Sequence, residues 1–395
     1  MPVGRAVQSA LAWALLLASA ATAAAGEAGA DLSAAFAADC AARAAAAEKA
    51  GALAVAGRDG WLFLAGELRH LGAGRFWGGA AAGVSRAADP ALADPLPVIL
   101  DAKRQLNAAG VELLLVPVPA KAAIYPDMLS DRVAAAMAAA ASGGGMPGAS
   151  SSAAAPGAAP PGVDAADREF YDVLRAAGVQ VLDLAPVFLA ERLSIQGPLF
   201  LRQDSHWSGN GCVVAAREIG RTVRDRPWLK ERQKAALASE WRAVEVAGDL
   251  GPAGGGPLPV GPAVSPAVSP AAEKASVRFV GRRTDGGLEP MPDDRASPIV
   301  LMGDSSNLVF HAGGDMYAAG AGLPDQLALE LGLPIDVVAV RGSGATAAGL
   351  NLSRRIRADM GYLKSKRLVI WCFAAREFTE SDGWRALPLI WPAGG

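Results

Sequence analysis

The last hundred residues constrain the fold more than any other part of the chain. Short apolar runs alternate there with helix-compatible stretches, in the order 298–303, 323–331, 335–340, 346–360 and 368–373. Apolar runs of this length, bounded by turn residues, favour strands that are buried on both faces. Strands that alternate with helices favour parallel pairing, with the helices covering both faces of the sheet. The sequence therefore predicts an α/β fold built on a parallel sheet.

The rest of the chain supplies further elements for the sheet and its covering layers. Apolar runs at 111–116 and 179–182 predict two more strands, and Trp61-Leu62-Phe63-Leu64, after the turn at 58–60, predicts a short one. Residues 276–282 fit a strand or an edge ribbon. Helix-compatible stretches lie at 31–56, 95–109, 164–177, 185–193 and 209–224, the last with Ser208 as its N-cap.

Two low-complexity stretches interrupt this pattern, at about 138–163 and 249–273. Ala, Gly, Ser and Pro dominate them, and such segments bury too little apolar surface to offset the entropy lost on ordering. We expect both to be disordered surface loops, inserted in a single domain that spans residues 26–395.

The N-terminus has the composition of a secretory signal. Arg5 precedes an apolar run at 10–20, and the small residues at 21–25 offer an A-x-A cleavage site. The run is shorter than the roughly 20 residues of a membrane-spanning helix. We therefore expect a signal peptide at 1–25 and export to the periplasm, with an uncleaved membrane anchor as the alternative.

Charge and cysteine content narrow the function classes. The formal net charge is −2 without a basic block, which argues against a nucleic-acid binder. An exported chain can pair two of Cys40, Cys212 and Cys372 in a disulfide, although Cys372, in an apolar run, equally fits a core thiol. The three cysteines are too scattered to indicate a metal site.

Two polar stretches contain the parts of a nucleophilic serine site. Gln203-Asp204-Ser205-His206-Trp207-Ser208 holds a carboxylate and an imidazole two residues apart, and the run at 298–303 ends in Gly303-Asp304-Ser305. A serine nucleophile needs a base to take its proton, and the base needs a carboxylate to fix its tautomer. Asp204 and His206 share one side of an extended segment. A helix starting at Ser305 would aim backbone N–H groups at a developing oxyanion.

Simpler interpretations of these residues stay open. Gly-Asp-Ser can be only a turn and N-cap, Ser306 can take the place of its neighbour as nucleophile, and Asp-x-His can be a satisfied turn pair. His206 is favoured as the base by elimination. His70 lies at a polar helix end where solvation is expected. His311 has no carboxylate close to it in sequence other than Asp304.

The order of the motifs resembles one branch of a known superfamily. Gly303-Asp304-Ser305 is similar to the first block of SGNH/GDSL hydrolases, in which Asp-x-x-His normally follows the serine. Here Asp-x-His precedes the serine, a permuted order that resembles the alginate O-acetyltransferase (AlgJ/AlgX-like) branch. Further similar segments are Asp59-Gly60-Trp61-Leu62-Phe63 with Glu67-Leu68, Pro117-x-Pro119-x-Lys121 with Tyr125-Pro126, and Val369-Ile370-Trp371-x-Phe373-x-x-Arg376. The resemblance implies an SGNH-like sheet with a permuted catalytic order.

The resemblance also implies a function. Ser305 would be the nucleophile, His206 its base and Asp204 the group that orients the base. An acetyl group would pass to Ser305 and then to a hydroxyl of an exported polysaccharide, alginate or another exopolysaccharide. A membrane-bound O-acyltransferase is implied as the acetyl supplier, and no soluble cofactor or metal. A carbohydrate acetylesterase and a non-catalytic exopolysaccharide-binding or assembly protein are the alternatives.

The remaining site residues follow from the same resemblance. The oxyanion hole would use the Ser305 N–H and a second donor from the turn that contains Arg341, Gly342 and Gly344. Arg341 and Arg376 can hold a sugar carboxylate or hydroxyl, with surface or structural arginines as the alternative.

Two further polar residues receive no place in the site. SGNH hydrolases usually have an asparagine as a third oxyanion donor. Asn351 is close in sequence to the turn at 341–344, but it lies on a predicted helix and is not assigned to this role. Lys121 follows a predicted strand and can face the site, although a solvated lysine is the preferred interpretation.

Overall fold

The computed structural model describes residues 31–142, 163–251, 272–343 and 345–390. The predicted signal peptide at 1–25, most of the two low-complexity loops and Gly344 lie outside the described residues. The disorder expected of the loops and the domain limits at 26–395 therefore stay predictions.

The strands of the described ranges are, in chain order, β1 (Ala54–Ala56), β2 (Leu62–Leu64), β3 (Glu112–Val118), β4 (Gln180–Val181), β5 (Ala238–Val246), β6 (Glu273–Thr284), β7 (Gly287–Glu289), β8 (Ile299–Gly303), β9 (Asp336–Ala339) and β10 (Leu368–Ala374). The helices are α1 (31–49), α2 (Ala65–Gly72), α3 (Ala81–Val84), α4 (Pro95–Ala108), α5 (Lys121–Ile124), α6 (Pro126–Leu129), α7 (Asp131–Ser142), α8 (Ala165–Ala176), α9 (Ala185–Glu191), α10 (Gly209–Val223), α11 (Pro227–Lys230), α12 (Leu323–Leu331), α13 (Thr346–Ala358) and α14 (Glu377–Glu380).

The central sheet has five parallel strands in the order β4-β3-β10-β8-β9. This arrangement confirms the predicted fold class. The last strand in the chain, β10, lies between β3 and β8, so the carboxyl ends of these three strands meet at one edge. Ligand sites of open parallel sheets lie at such an edge, where the strand order reverses.

Alternate side chains of the sheet enter two separate cores. On β10, Leu368, Ile370 and Cys372 belong to the core covered by α1, α10 and α12, whereas the residues between them belong to the core covered by α4, α8 and α13. The apolar runs predicted as strands are continuous because both faces of the sheet are buried.

The N-terminal segment differs from its prediction. The helix expected over 31–56 ends at residue 49, and the chain continues as the antiparallel hairpin β1–β2. Asp59 and Gly60 turn this hairpin with φ values of 50° and 77°, which an Asp-Gly pair tolerates well. The predicted strand at 61–64 is confirmed.

A second sheet, β5-β6-β7, is antiparallel. The ribbon predicted at 276–282 is part of β6, but its partner β5 was not predicted. Cys40, Cys212 and Cys372 are all buried free thiols, so the disulfide that the sequence allowed is not formed. None of the helices in the described part of the chain combines the length and apolar character needed to cross a membrane.

Candidate active site

Gly303-Asp304-Ser305 makes a tight turn at the carboxyl end of β8. Asp304 is the N-cap of this turn, because its Oδ1 accepts from the Ser306 N–H at 2.9 Å. Its Oδ2 accepts from the Ala374 N–H, at the end of β10, at 2.7 Å. The aspartate therefore fixes the serine turn to the neighbouring strand. The helical region expected after Ser305 is only a three-residue 3₁₀ helix, Ser305–Asn307.

The segment that carries Asp204 and His206 crosses this edge of the sheet without regular secondary structure. Phe200 and Trp207 form an isolated antiparallel bridge at its two ends. The Trp207 indole N–H donates to the Ser306 carbonyl oxygen at 2.9 Å, which holds the segment against the serine turn. Ser208 then caps α10, as predicted, by accepting from the Gly211 N–H at 3.2 Å.

These two segments bring the predicted triad residues into one hydrogen-bonded chain. His206 Nε2 lies 2.8 Å from Ser305 Oγ, and His206 Nδ1 lies 2.7 Å from Asp204 Oδ1. With a proton on Nδ1, the imidazole presents an unprotonated Nε2 to the serine hydroxyl. This is the geometry of a serine, a base and an orienting carboxylate.

The Asp204 carboxylate is buried and accepts four hydrogen bonds. Oδ1 receives the N–H and Nδ1 of His206, and Oδ2 receives the Tyr317 hydroxyl and the Asp249 N–H, the last at 3.1 Å. Burial raises the pKa of Asp204, but the bonds and charge of His206 and the bond from Tyr317 outweigh it and lower the pKa to about 2. The carboxylate is therefore ionised at neutral pH.

The same pair sets the protonation of the base. Burial lowers the pKa of His206, but the hydrogen bond and charge of Asp204 outweigh burial and raise the pKa above its ordinary 6.5. Asp249 contributes in the same direction, with Oδ2 lying 3.8 Å from His206 Nδ1, and the positive charge of Arg376 opposes it. His206 is therefore a stronger base than a free imidazole, which favours removal of the serine proton.

Ser306, the alternative nucleophile, and His70, an alternative base, make other contacts. Ser306 is buried, and its backbone binds Asp304 and Trp207, so the histidine meets Ser305 instead. His70, expected to be solvated, is buried between Asp167 and Thr379, because α2 packs against both α8 and α14.

His311 is also held away from the serine. Its Nδ1 lies 2.9 Å from Asp325 Oδ2, and its Nε2 lies 3.2 Å from Asp293 Oδ1. Both carboxylates are distant from His311 in sequence, so sequence proximity could not identify them. The imidazole joins the start of α12 to the segment before β8.

The predicted substrate-binding residues divide into two groups. Arg376 follows β10, is largely buried, and lies 3.4 Å from Glu67 Oε1. Arg341 instead forms an exposed ion pair with Asp315 at the end of β9. Gly342 lies in the same turn with φ of 88°, whereas Gly344 lies outside the described residues.

Asn351 lies on α13, as predicted, and accepts a hydrogen bond from Arg354. Asn307 was not singled out from the sequence. It is buried beside the serine, but its amide hydrogens already bind the carbonyl oxygens of Asp304 and Cys372. Asn307 therefore has no amide hydrogen left for an oxyanion, and Asn351 stays unassigned because it lies on α13.

Lys121 contradicts its prediction most clearly. Its side chain is fully buried, and Nζ donates to backbone carbonyls of Leu62, Arg202 and Asp204. The preferred interpretation as a solvated lysine is therefore wrong. The available signal was a lysine three residues after a buried strand, within the segment that resembles the AlgJ/AlgX-like branch.

Asp249 and Tyr317 are the site residues that the sequence reasoning missed. Asp249 lies at the start of a predicted disordered loop, and Tyr317 lies in a segment without periodic pattern. Tyr317 also has a strained backbone, with φ of 70°. Each is far from Asp204 in sequence, and only the fold brings them together.

The described residues contain one group with the spacing of metal ligands. Donor atoms of Asp204, His206 and Asp249 lie within 4.8 Å of one another. The four hydrogen bonds on Asp204 already occupy its lone pairs. We therefore assign the group to orientation of the imidazole.

A parallel sheet with a serine at a strand end, bonded to an Asp–His pair, is the arrangement of an α/β enzyme that uses a serine nucleophile. Comparison with known families agrees: the model described as "SGNH hydrolase-like domain, acetyltransferase AlgX" matches residues 54–144 and 148–375. The match covers most of the chain, and the chain belongs to this family. By this membership it is an SGNH-type O-acetyltransferase, which confirms the enzyme class predicted from the sequence.

Individual relatives are more distant. The probable alginate O-acetylase AlgJ of Pseudomonas aeruginosa is 25% identical over 327 residues, which span 82% of this chain and 69% of the relative. The same protein of Pseudomonas syringae is 25% identical over 285 residues, spanning 72% and 62%.

Solved structures support the fold. The O-acetyltransferase domain of Pseudomonas putida AlgJ matches with a TM-score of 0.53 at 22% identity, over 82% of this chain and 92% of that domain. Pseudomonas aeruginosa AlgX matches with a TM-score of 0.55 at 17% identity, over 85% and 66%.

Proposed function

We propose that this protein is a periplasmic enzyme that transfers acetyl groups to hydroxyls of an exported polysaccharide, with Ser305 as the nucleophile. The observation that carries the proposal is the continuous hydrogen-bonded chain from Asp204 through His206 to Ser305. The substrate class is supported by the relatives named alginate O-acetylase. Alginate or another exopolysaccharide with free hydroxyls would be the acceptor.

In the first half-reaction, Ser305 Oγ attacks the carbonyl carbon of an acetyl donor while His206 Nε2 takes the hydroxyl proton. The carbonyl π electrons move to oxygen and form a tetrahedral oxyanion. The oxyanion collapses, the donor oxygen leaves with the proton from Nε2, and acetyl-Ser305 remains. Asp204 stabilises the imidazolium at each proton transfer.

In the second half-reaction, a sugar hydroxyl takes the place of the donor. His206 Nε2 removes its proton as the sugar oxygen attacks the acetyl carbon. Collapse of the second oxyanion releases Ser305 Oγ, which recovers the proton from the imidazole. If water attacks instead, the same steps give an esterase.

The oxyanion would be stabilised by backbone donors at the sheet edge. We assign one donor to the Ser305 N–H and the second to the turn at 341–344. Val340, just before that turn, donates its N–H to the Gly303 carbonyl at 3.0 Å, which keeps the turn beside the serine segment. Preorganised donors of this kind each contribute about 3 kcal/mol to such reactions.

Arg376 is the best-placed group for a substrate anion or hydroxyl. The positive charge of Arg376 lowers the pKa of His206, and its guanidinium group donates a hydrogen bond to Glu67. Arg341 is a weaker candidate because Asp315 already pairs with it. In the periplasm, a membrane-bound O-acyltransferase would supply the acetyl groups.

The test compares the mature protein with Ser305→Ala. Each is incubated with an activated acetyl ester, with and without polysaccharide oligomers, and the products are followed by mass spectrometry. Ser306→Ala is the matched control, since it removes a neighbouring hydroxyl that does not contact His206.

We expect acetylated oligomer from the wild type and Ser306→Ala, and none from Ser305→Ala. A mass increase of one acetyl group on Ser305 would identify the intermediate. Release of acetate without transfer to oligomers would replace the transferase with an esterase. Equal background signals from wild type and Ser305→Ala, with the acetyl-supplying membrane partner also present, would favour the binding-protein alternative.

A further inference from the structure

We infer that Lys121 is a positioning residue for the Asp204–His206 segment, acting through its three backbone contacts. The inference rests on the proposed function, because it concerns the same triad. Lys121 does not touch Ser305 or a reacting atom. It is the first residue of α5, three residues after the end of β3.

The Lys121 ammonium group is fully satisfied by carbonyl oxygens. Nζ lies 2.7 Å from Leu62 O, 2.8 Å from Arg202 O and 3.0 Å from Asp204 O. An ammonium has three N–H donors, and each has one acceptor here. A buried charge is tolerated only with such complete pairing, so the contacts are specific and not incidental.

Two aromatic rings also lie near the Lys121 ammonium group. Nζ lies 5.2 Å from the ring centre of Trp61 and 5.5 Å from that of Phe63, within cation–π range. Trp61 and Phe63 flank Leu62, the first residue of β2. The β1–β2 hairpin and Lys121 therefore form one surface that supports residues 200–207, which we call the triad segment.

The triad segment is joined by an isolated bridge at its two ends, and contacts with neighbouring segments hold the residues between them. Between Phe200 and Trp207, the chain has no regular secondary structure. Leu62 N–H donates to Arg202 O at 2.8 Å, and Lys121 Nζ adds the bonds to Arg202 and Asp204. The lysine therefore fixes the peptide groups on either side of Gln203 and, through them, the direction of the Asp204 side chain.

The same lysine is linked to Arg376 by Glu67. The Lys121 N–H lies 3.3 Å from Glu67 Oε2, and Arg376 Nη1 lies 3.4 Å from Glu67 Oε1. Glu67 is itself buried. Glu67 thus connects Lys121, which holds the triad segment, with Arg376, which is proposed to bind substrate.

The main test is Lys121→Met, which keeps the length and apolar contacts of the side chain and removes all three donors. Lys366→Met is a matched control. Lys366 is also fully buried, and its Nζ binds Arg295 O, Ser297 O and Asp336 Oδ2 at 2.6 to 2.8 Å. Lys366 lies before the start of β10, and its Nζ binds none of the residues of the triad segment.

Two readouts separate positioning from general destabilisation. The first is the kcat and KM for the activated ester, scaled to the folded fraction measured by circular dichroism. The second is the Nδ1–H proton resonance of His206 in protein labelled with ¹⁵N-histidine. With only three histidines in the chain, this resonance can be assigned by single substitutions of the other two.

We expect Lys121→Met to lower kcat roughly tenfold to a hundredfold with little change in KM, since small displacements of a base cost about this much. The His206 resonance should move or broaden. Lys366→Met should lower stability but leave kcat and the resonance within error of wild type. Lys121→Gln, which retains two N–H donors on a shorter side chain, should lie between Lys121→Met and wild type.

An unchanged His206 resonance and kcat in folded Lys121→Met would overturn the inference. So would failure of both Lys121 variants to fold under conditions in which Lys366→Met folds, since the lysine would then support the whole domain. A different result would contradict the proposed function: full acetyl transfer by Ser305→Ala. The resonance requires no turnover and tests Lys121 in either case.

Discussion

Asp204→Asn perturbs the best-defined group in the site. The carboxylate offers two oxygens to four donors, with two bonds from His206 on Oδ1 and bonds from Tyr317 and Asp249 on Oδ2. Asparagine has one oxygen and one NH₂ group. If the NH₂ faces His206, Nδ1 must become an acceptor, and the proton moves to Nε2, where it blocks removal of the Ser305 proton.

The magnitude follows from these contacts. If the asparagine oxygen instead stays on His206, its NH₂ meets the Asp249 N–H, and an unsatisfied buried donor costs about 1 to 3 kcal/mol. In both arrangements the imidazolium loses its counter-charge. Together these effects should lower kcat by roughly 10³- to 10⁴-fold, or about 4 to 5.5 kcal/mol of activation free energy.

The pH dependence of activity provides a second test, because the acidic limb of the profile should move in a defined direction. His206 acts as a base only when neutral, so activity falls as pH drops through its pKa. In the wild type Asp204 raises this pKa above 6.5. Asp204→Asn removes the largest contribution that raises this pKa, while burial and Arg376 still lower it, so the acidic limb of the remaining activity should move to lower pH.

The assay is acetyl-ester turnover by wild type, Asp204→Asn and Asp249→Asn between about pH 5 and 9. Asp249→Asn is the comparison variant, since its side chain is 43% exposed and binds Ser205, while its bond to Asp204 comes from the backbone. We expect it to lose less than about tenfold, as for a partly screened charge. A loss of less than tenfold in Asp204→Asn, or a limb that moves to higher pH, would refute this account of the triad.

Two further predictions concern the framework. In Gly303→Ala the new Cβ would overlap the Cys372 carbonyl oxygen of β10, so chemical denaturation should show a loss of more than about 3 kcal/mol or no folded protein. Gly286→Ala, whose Cβ would lie 3.8 Å from Thr284 Oγ1, should stay near wild type, and equal stabilities would contradict the close approach. Burial lowers the pKa of His311, but its two aspartates raise it to about 10, so its stabilisation is complete below about pH 6.5 and is lost as pH rises to 10. The unfolding free energy should fall by roughly 5 kcal/mol over that range, and an identical slope in His311→Gln would contradict this role.

The sequence was most informative where burial is continuous. The strands predicted at 298–303 and 368–373 agree with the observed β8 and β10 within a residue, because both faces of the sheet are apolar. By contrast, β5 was missed because much of it is exposed and charged residues interrupt it, as at Glu240, Arg242 and Glu245. An edge ribbon of this kind leaves no apolar period for a sequence pattern to detect.

In the candidate site, too, some residues could be predicted from the sequence and others could not. Asp204 and His206 could be singled out because their spacing is local. Tyr317 and Asp249 could not, because their contacts with Asp204 are created by tertiary packing across 113 and 45 residues. The environment of Lys121 was misjudged for a related reason, since its three acceptors belong to two distant segments.

The triad segment also holds the described residues on both sides of 252–271, the range that makes up most of the low-complexity stretch at 249–273. Before that range, the Leu250 N–H donates to Gln203 O at 3.1 Å, and after it Glu273 Oε1 accepts from the Arg202 N–H at 2.9 Å. Because adjacent residues hold the two ends, the span between them is set by the core and not by the number of intervening residues. Loop-closure entropy changes only slowly with length. Evolution can therefore lengthen or shorten this stretch, and an engineer can insert a tag there, without altering the distance between the ends.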